Sequence, residues 1–267
     1  LIEVFPVEKS GTVSIPWSTD TMAYAQTREE TDPGPIRTTF QQSGGYTATD
    51  DVQSDSTMVY IGTIAGAETQ YNSWKENKQN CAQESLDIMT AGGRDNGVEY
   101  FSMYPEREDF DACKRSDGSI HYHGGGTTVP YMVPTRYYRE YKIQLIDTLC
   151  KLGPGFIAVE EPESFIGAEY SEGFQEEWLD YYGTEFVDPA SSAEARYMSS
   201  KLMTHLWMTM IDSIGEYMNE HYPDIDLVVA THSTANYTHW NIISAVNAFT
   251  SSEYVDGIIG QTWSDTV

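Results

Sequence analysis

The sequence predicts an α/β protein built on a parallel sheet, and three observations carry that prediction. Six short runs rich in apolar and β-branched residues, at 12–17, 57–62, 98–103, 156–161, 227–230 and 256–261, have strand length. Helical patterns fill most of the gaps between them, the alternation that produces βα units and a parallel sheet. The first run passes into Trp17-Ser18-Thr19-Asp20, where a doubly wound sheet would carry a glycine-rich phosphate turn. The expected architecture is therefore the (β/α)8, TIM-barrel type, with about six βα units present.

The elements follow in chain order. After the strand at 12–17, residues 27–56 are rich in Thr, Gly, Asp, Ser and Gln and read as a long excursion over one end of the fold. The strand at 57–62 leads into a helix expected over 65–89, with Tyr71, Trp74 and Leu86 facing inward and Gly92-Gly93 as its stop. A third strand is expected at 98–103, running into Tyr104-Pro105-Glu106, and the polar, Gly-rich segment 107–130 reads as a second long loop. From Thr135 a helix places Tyr138, Tyr141, Leu145, Leu149 and Leu152 on one side and ends at Gly153-Pro154. The strand at 156–161 follows. Ser171 caps a helix whose apolar side is Phe174, Trp178 and Tyr181. Ser191 with Glu194 forms a capping box for a helix reaching Tyr222, with Met198, Leu202, Leu206, Met210, Ile214 and Met218 as its core stripe. No linker or internal repeat divides the chain, so residues 1–267 are expected to form one domain. A closed eight-stranded barrel needs two further units, which makes this the expected N-terminal part of a longer chain.

Charge and composition narrow the function. A net charge of −26 over 267 residues repels phosphate backbones and argues against a nucleic-acid partner. No run approaches the roughly 18–20 apolar residues of a membrane span. The N-terminal Leu-Ile-Glu-Val-Phe-Pro has no signal-like pattern. Cys81, Cys113 and Cys150 show neither a CxxC pair nor zinc-like spacing, and their disulfide state stays open. Scarce lysine, abundant Ser, Thr and Tyr, and acidity spread along the chain point to an extracellular setting. There Asn236-Tyr237-Thr238 would serve as a glycosylation sequon. No cofactor and no metal is expected; His121 and His123 in the glycine-rich loop are the outside possibility of a metal-dependent hydrolase.

In a barrel the chemistry sits at the carboxyl ends of the strands. Those ends gather Trp17 and Asp20, Tyr104 and Glu106, Glu160, Glu161 and Glu163, His232, and Gln261, Trp263 and Asp265. A buried strand that ends in three carboxylates is costly unless that end opens into a polar site. Flat rings such as Trp17, Trp240 and Trp263 suit the apolar faces of pyranoses, and carboxylates and amides suit their hydroxyls. The substrate class this ring fits is an oligo- or polysaccharide. Crowded glutamates are also a means of raising one carboxyl's pKa, which a proton donor to a glycosidic oxygen requires.

Glu160-Glu161-Pro162 at the end of the fourth strand resembles the Asn-Glu-Pro signature of retaining (β/α)8 glycoside hydrolases of the β-galactosidase and cellulase-like superfamily. A looser likeness to uncharacterised bacterial glycoside-hydrolase-like proteins runs through Val133-Pro134-Thr135, Glu160 to Glu163, Thr231-His232-Ser233 and Gln261 with Trp263. The resemblance implies that Glu161 is the acid/base and that the nucleophile is a glutamate on a seventh strand, beyond Val267. Glu160 departs from the signature, in which an asparagine holds the sugar 2-hydroxyl. Two duller readings stand beside this one. Glu160 and Glu163 could be ion-paired with Arg136 or Arg139. The whole protein could be a non-catalytic sugar-binding or structural surface protein that self-assembles.

Overall fold

The structure is a computed structural model that describes residues 38–41, 56–78, 86–90, 96–232, 241–243 and 249–261, all within the unit Arg37–Val267. In chain order these form β1 (Thr38–Gln41), β2 (Ser56–Tyr60), helix α1 (Ala67–Lys78), β3 (Leu86–Thr90), α2 (Gly97–Met103) and the single-turn helix α3 (Glu108–Asp111). Helix α4 (Arg136–Cys150), β4 (Phe156–Glu160), β5 (Ser164–Phe165), α5 (Glu172–Tyr182) and α6 (Ala193–His221) follow. The described chain closes with β6 (Asp226–His232), β7 (Ile242–Ile243) and β8 (Gly257–Gln261).

Six strands make one sheet in the order β1-β2-β3-β4-β6-β8, every neighbouring pair parallel. The order in space is the order in the chain, so the sheet grows in one direction and never reverses as a doubly wound sheet does. β5 and β7 form a separate antiparallel pair.

β4 and β6 are buried on both faces along most of their length, and alternation sorts their side chains. Ile157, Val159, Leu227 and Val229 pack into the main core with Tyr138, Tyr141, Leu145 and Leu149 of α4 and with the stripe of α6. Of the expected stripe, Leu202, Leu206, Met210, Ile214 and Met218 are buried, each side chain contributing about 1.5–3 kcal/mol, and Met198 is half-buried against the core. On the opposite face Ala158 packs with Phe156, Val228 and Ile259. Gly173 in the first turn of α5 allows a close helix approach. A Cβ there would stand 2.6 Å from the Phe110 carbonyl oxygen and 2.7 Å from Asp111 Oδ1.

The helix cap expected at Ser171 forms, accepting from Phe174 N, and Thr135, from which a helix was expected, caps α4 by accepting from Tyr138 N. Five expectations are corrected. The segment 98–103 is not a strand but most of α2. It buries Gly97 and Tyr100, three apart, and leaves Val98 56% and Met103 42% exposed, a helical spacing. Polar contacts hold that helix: Glu99 accepts from Ile64 N at 2.7 Å, Ala65 N at 2.9 Å and Tyr141 Oη at 2.8 Å, and Asn96 Nδ2 donates to the Gly62 carbonyl at 2.7 Å. The helix expected over 65–89 ends at Lys78, and Leu86 to Thr90 is instead a central strand paired with β2 and β4. The excursion at 27–56 contains β1. Ser192 rather than Ser191 caps α6, because Ser191 Oγ donates to the Asp188 carbonyl. On α5, Tyr181 is 39% exposed, and Tyr182 packs with Trp178 in its place. The strand expected at 12–17 lies outside the described residues.

Candidate active site at the ends of β4 and β6

β4 stops at Glu160 because the next residue leaves the extended region. Glu161 has φ +49°, a left-handed conformation that costs a non-glycine residue about 1–3 kcal/mol. The turn is fastened on both sides: Glu161 N donates to the Ala230 carbonyl at 2.6 Å, and Glu163 N donates to the Glu161 carbonyl at 2.8 Å. Strand alternation is broken there, and the Glu161 carboxylate turns to His232 on the neighbouring strand.

The turn brings Glu163 under the end of the neighbouring strand β6, where, among the described residues, its fully buried carboxylate meets three donors. His232 N donates to Oε1 at 2.9 Å, the Thr231 hydroxyl donates to the same oxygen, and His232 Nδ1 donates to Oε2 at 2.7 Å. The other imidazole nitrogen, Nε2, lies 3.0 Å from Glu161 Oε1. A chain of three groups results, Glu163–His232–Glu161, drawn from adjacent strands. Its two inner members are sealed, and its outer carboxylate is 14% exposed.

Burial pulls the His232 pKa down, but hydrogen bonds and charge from Glu161 and Glu163 more than offset it and raise the imidazole to about 9. At neutral pH the ring is an imidazolium with both N–H groups donating to carboxylates. Repulsion between the two glutamates is thereby relieved by a cation between them.

Neighbouring contacts hold this turn in place. Trp207 Nε1 of α6 donates to Ser164 Oγ at 2.8 Å, directly after Glu163. Buried Glu169 accepts from Gly167 N at 2.6 Å and from Ser199 Oγ at 3.2 Å, and pairs with Arg196. Burial pushes the Glu169 carboxyl upward, with Arg196 opposing. Phe165 of β5 meets His121 edge-on and a tilted Tyr131, with ring centroids 4.9 and 4.8 Å away. The segment 107–130 is thus an ordered flap with bridges Ala112–Met132, Lys114–Ile120 and Tyr122–Pro130. His123 packs edge-on to Tyr131. Among the described residues no group of three or more His, Cys, Asp or Glu side chains is placed to hold a metal ion.

The other expected site residues are distributed as follows. Glu160 is half-buried as the last residue of β4, on the Ala158 side by alternation and paired in register with Ala230. Gln261 ends β8 as the register partner of His232. Glu106 is exposed in a 3-10 turn, Pro105–Arg107, that follows a helix and not a strand. Trp17, Asp20, Asn236, Trp240, Trp263 and Asp265 lie outside the described residues. Arg139 faces Glu177 at 3.6 Å, and Glu163 is held by the histidine. Thr231 was missed by the sequence reading, although its place in the polar end of an apolar strand was the available signal.

No protein-family model matches the chain, and no curated protein matches it either. Among solved structures, a polyextremophilic β-galactosidase from the Antarctic haloarchaeon Halorubrum lacusprofundi superposes at TM-score 0.54 with 10% identity, over 85% of this chain and 40% of that one. A β-galactosidase from the psychrophilic Marinomonas ef1 is similar at TM-score 0.45 with 13% identity, over 66% of this chain and 33% of that one. Ega3 of Aspergillus fumigatus, solved in complex with galactosamine, gives 0.33 and 8%, over 84% of this chain and 76% of that one. The likeness to the haloarchaeal enzyme is one of fold. The chain spans 33% and 40% of the lengths of the two β-galactosidases.

Proposed function

We propose that this chain is a carbohydrate-active protein on a (β/α)8 scaffold that hydrolyses glycosidic bonds of an extracellular oligo- or polysaccharide, with Glu161 as the carboxyl that exchanges a proton with the glycosidic oxygen. One observation carries the reading. Glu161 is the solvent-open member of a buried acid–base chain, held in a left-handed backbone at the carboxyl end of a central strand. Strain of that kind persists where the surroundings over-determine it, and such places are commonly functional. Acid/base hydrolysis needs a second carboxyl roughly 5–5.5 Å away for retention, or about 6.5–9.5 Å for inversion. Fully buried Glu163 is committed to His232 and does not serve, which leaves Glu160 or a glutamate of a further strand.

The second reading keeps the sugar and drops the hydrolysis. Glu160 in place of the asparagine of the Asn-Glu-Pro signature is the observation that favours it.

The test is hydrolysis of a panel of nitrophenyl glycosides and oligosaccharides by the full chain and by Glu161→Gln. A loss of about 10²–10⁴-fold in kcat, with sugar affinity retained, is expected. Unchanged turnover in the variant removes Glu161 from the mechanism, and sugar binding without turnover by the wild type establishes the second reading.

A further inference from the structure

The geometry points to Glu163 as a positioning residue that acts through His232: its sealed carboxylate aims the imidazole so that Nε2–H faces Glu161, and His232 stores the proton that Glu161 delivers. This inference rests on the glycosidase reading and assigns the store of its proton.

The argument is one of donors and acceptors. A carboxylate has only acceptor sites, so a histidine with a carboxylate at each nitrogen satisfies both only when both nitrogens carry hydrogen. Glu163 fixes the ring at three points: the Nδ1 contact at 2.7 Å, the backbone amide of the same residue at 2.9 Å, and the hydroxyl of the preceding Thr231. The ring is 3% exposed and takes its orientation from these contacts, which leave Nε2 aimed at Glu161. A lone carboxylate at this depth would be costly, and the hydrogen bond from the ring offsets that cost. Among the described residues, Glu161 and Glu163 from the turn after β4 face the ring, with the Thr231 hydroxyl of its own strand sharing Glu163, and Glu160 stands one residue before Glu161. Every ionisable member of this set is an acid, which favours the charged imidazole, and its pKa is raised accordingly.

The proton step balances without any change of oxidation state. The Nε2–H bond of the imidazolium breaks and an O–H bond forms on Glu161, giving a neutral imidazole and a neutral carboxylic acid. That acid protonates the departing glycosidic oxygen, whose bond to the anomeric carbon breaks with the electron pair remaining on oxygen. Water supplies the incoming oxygen in the net hydrolysis, and its spare proton returns through Glu161 to Nε2. Glu163 stays ionised throughout. The pair Glu161–His232 therefore titrates as a unit, and the alkaline limb of activity reports its last proton.

The test has two arms. In the first, the imidazole nitrogens of ¹⁵N-histidine-labelled full chain are titrated by NMR, with wild type compared to Glu163→Gln. His232 is expected to carry hydrogen on both nitrogens at pH 7.5 in the wild type, and its midpoint is expected to fall by about 1–3 pH units in the variant. A neutral His232 at pH 7.5, or a midpoint unmoved by the substitution, overturns the inference. The wild-type titration decides this even where the variant fails to fold, and it needs no substrate, so it stands apart from whether the chain hydrolyses glycosides. In the second arm, the alkaline limb of kcat/KM on the best nitrophenyl glycoside is expected to fall by the same interval in Glu163→Gln, with KM little changed. A moved NMR midpoint with an unmoved alkaline limb overturns the proton store while leaving Glu161 hydrolysis intact.

Discussion

Raising the pH from 6.5 to 9.5 is expected to destabilise the protein by about 3 kcal/mol, through one residue. His232 goes from an ordinary imidazole pKa of 6.5 in the unfolded chain to about 9 when folded. Each unit of such a difference is worth about 1.4 kcal/mol between protonation states, which sets the size of the effect. The sign follows from proton counting. The folded state holds this proton more tightly, so the contribution is complete below pH 6.5, declines as pH rises through the interval, and is gone above about 9. Burial pushes the Cys150 thiol from 9.0 up to about 12, and hydrogen bonds to Asp147 push Tyr217 and Tyr222 up to about 12, so ionisation of these groups in the unfolded chain adds a smaller loss near the top of the window. That loss is common to the wild type and the variant compared below and cancels between them. Burial lowers His205, whose effect falls below pH 6.5. The assay is urea unfolding at half-unit pH steps for the wild type and for the double variant Glu163→Gln/His232→Gln, which removes both sealed charges together. The wild-type curve should lose about 3 kcal/mol relative to the variant between pH 6.5 and 9.5. Parallel curves for the two proteins, or a wild type that gains stability on the variant, would refute the charge assignment.

Two further outcomes test the backbone. Since Glu161 sits at φ +49°, Glu161→Gly should be more stable than Glu161→Ala by about 1 kcal/mol in thermal or urea unfolding, both variants being inactive; equal stabilities would mean that the turn is unstrained. Gly173→Ala should cost about 1–3 kcal/mol by overpacking, because its methyl would press on the Phe110 carbonyl and on Asp111, which holds Arg107 and Tyr100; a neutral result in urea unfolding would mean that α5 can slide away.

The strands best read from sequence were those with dense aliphatic runs: 57–62, 156–161, 227–230 and 256–261 fall on β2, β4, β6 and β8. Helices α4 and α5 were legible from Thr135 and Ser171, whose side chains cap them as their residue types suggest. Failures came where local propensity and burial disagreed. Val-Glu-Tyr-Phe looks like a strand, yet only Gly97 and Tyr100 of α2 are buried, and the rest of its pattern is answered by solvent and by polar contacts to the loop after β2. Leu86 to Thr90 contains Asp87 and continues the polar pattern before it, so its pairing on both sides had no local sign. For the site, the crowded end of β4 announced itself, because three carboxylates beside an aliphatic run need an explanation. What stayed hidden was how they share one imidazole. That depends on a turn at Glu161 and on the lateral register of two strands, and neither is written in local spacing.

Glu163 and His232 lie 69 positions apart in the chain, and α5 and α6 intervene between strands that end up side by side. A polypeptide emerging in order has the first carboxylate long before the ring that will neutralise it, and must bring the whole helical pair home before the two can meet. The Glu161–His232–Glu163 corner is in that sense a late event in folding, completed only when the last of that long detour has docked. A partly assembled chain has no functioning corner to offer, and ionisation of the histidine is a readout of whether assembly has finished.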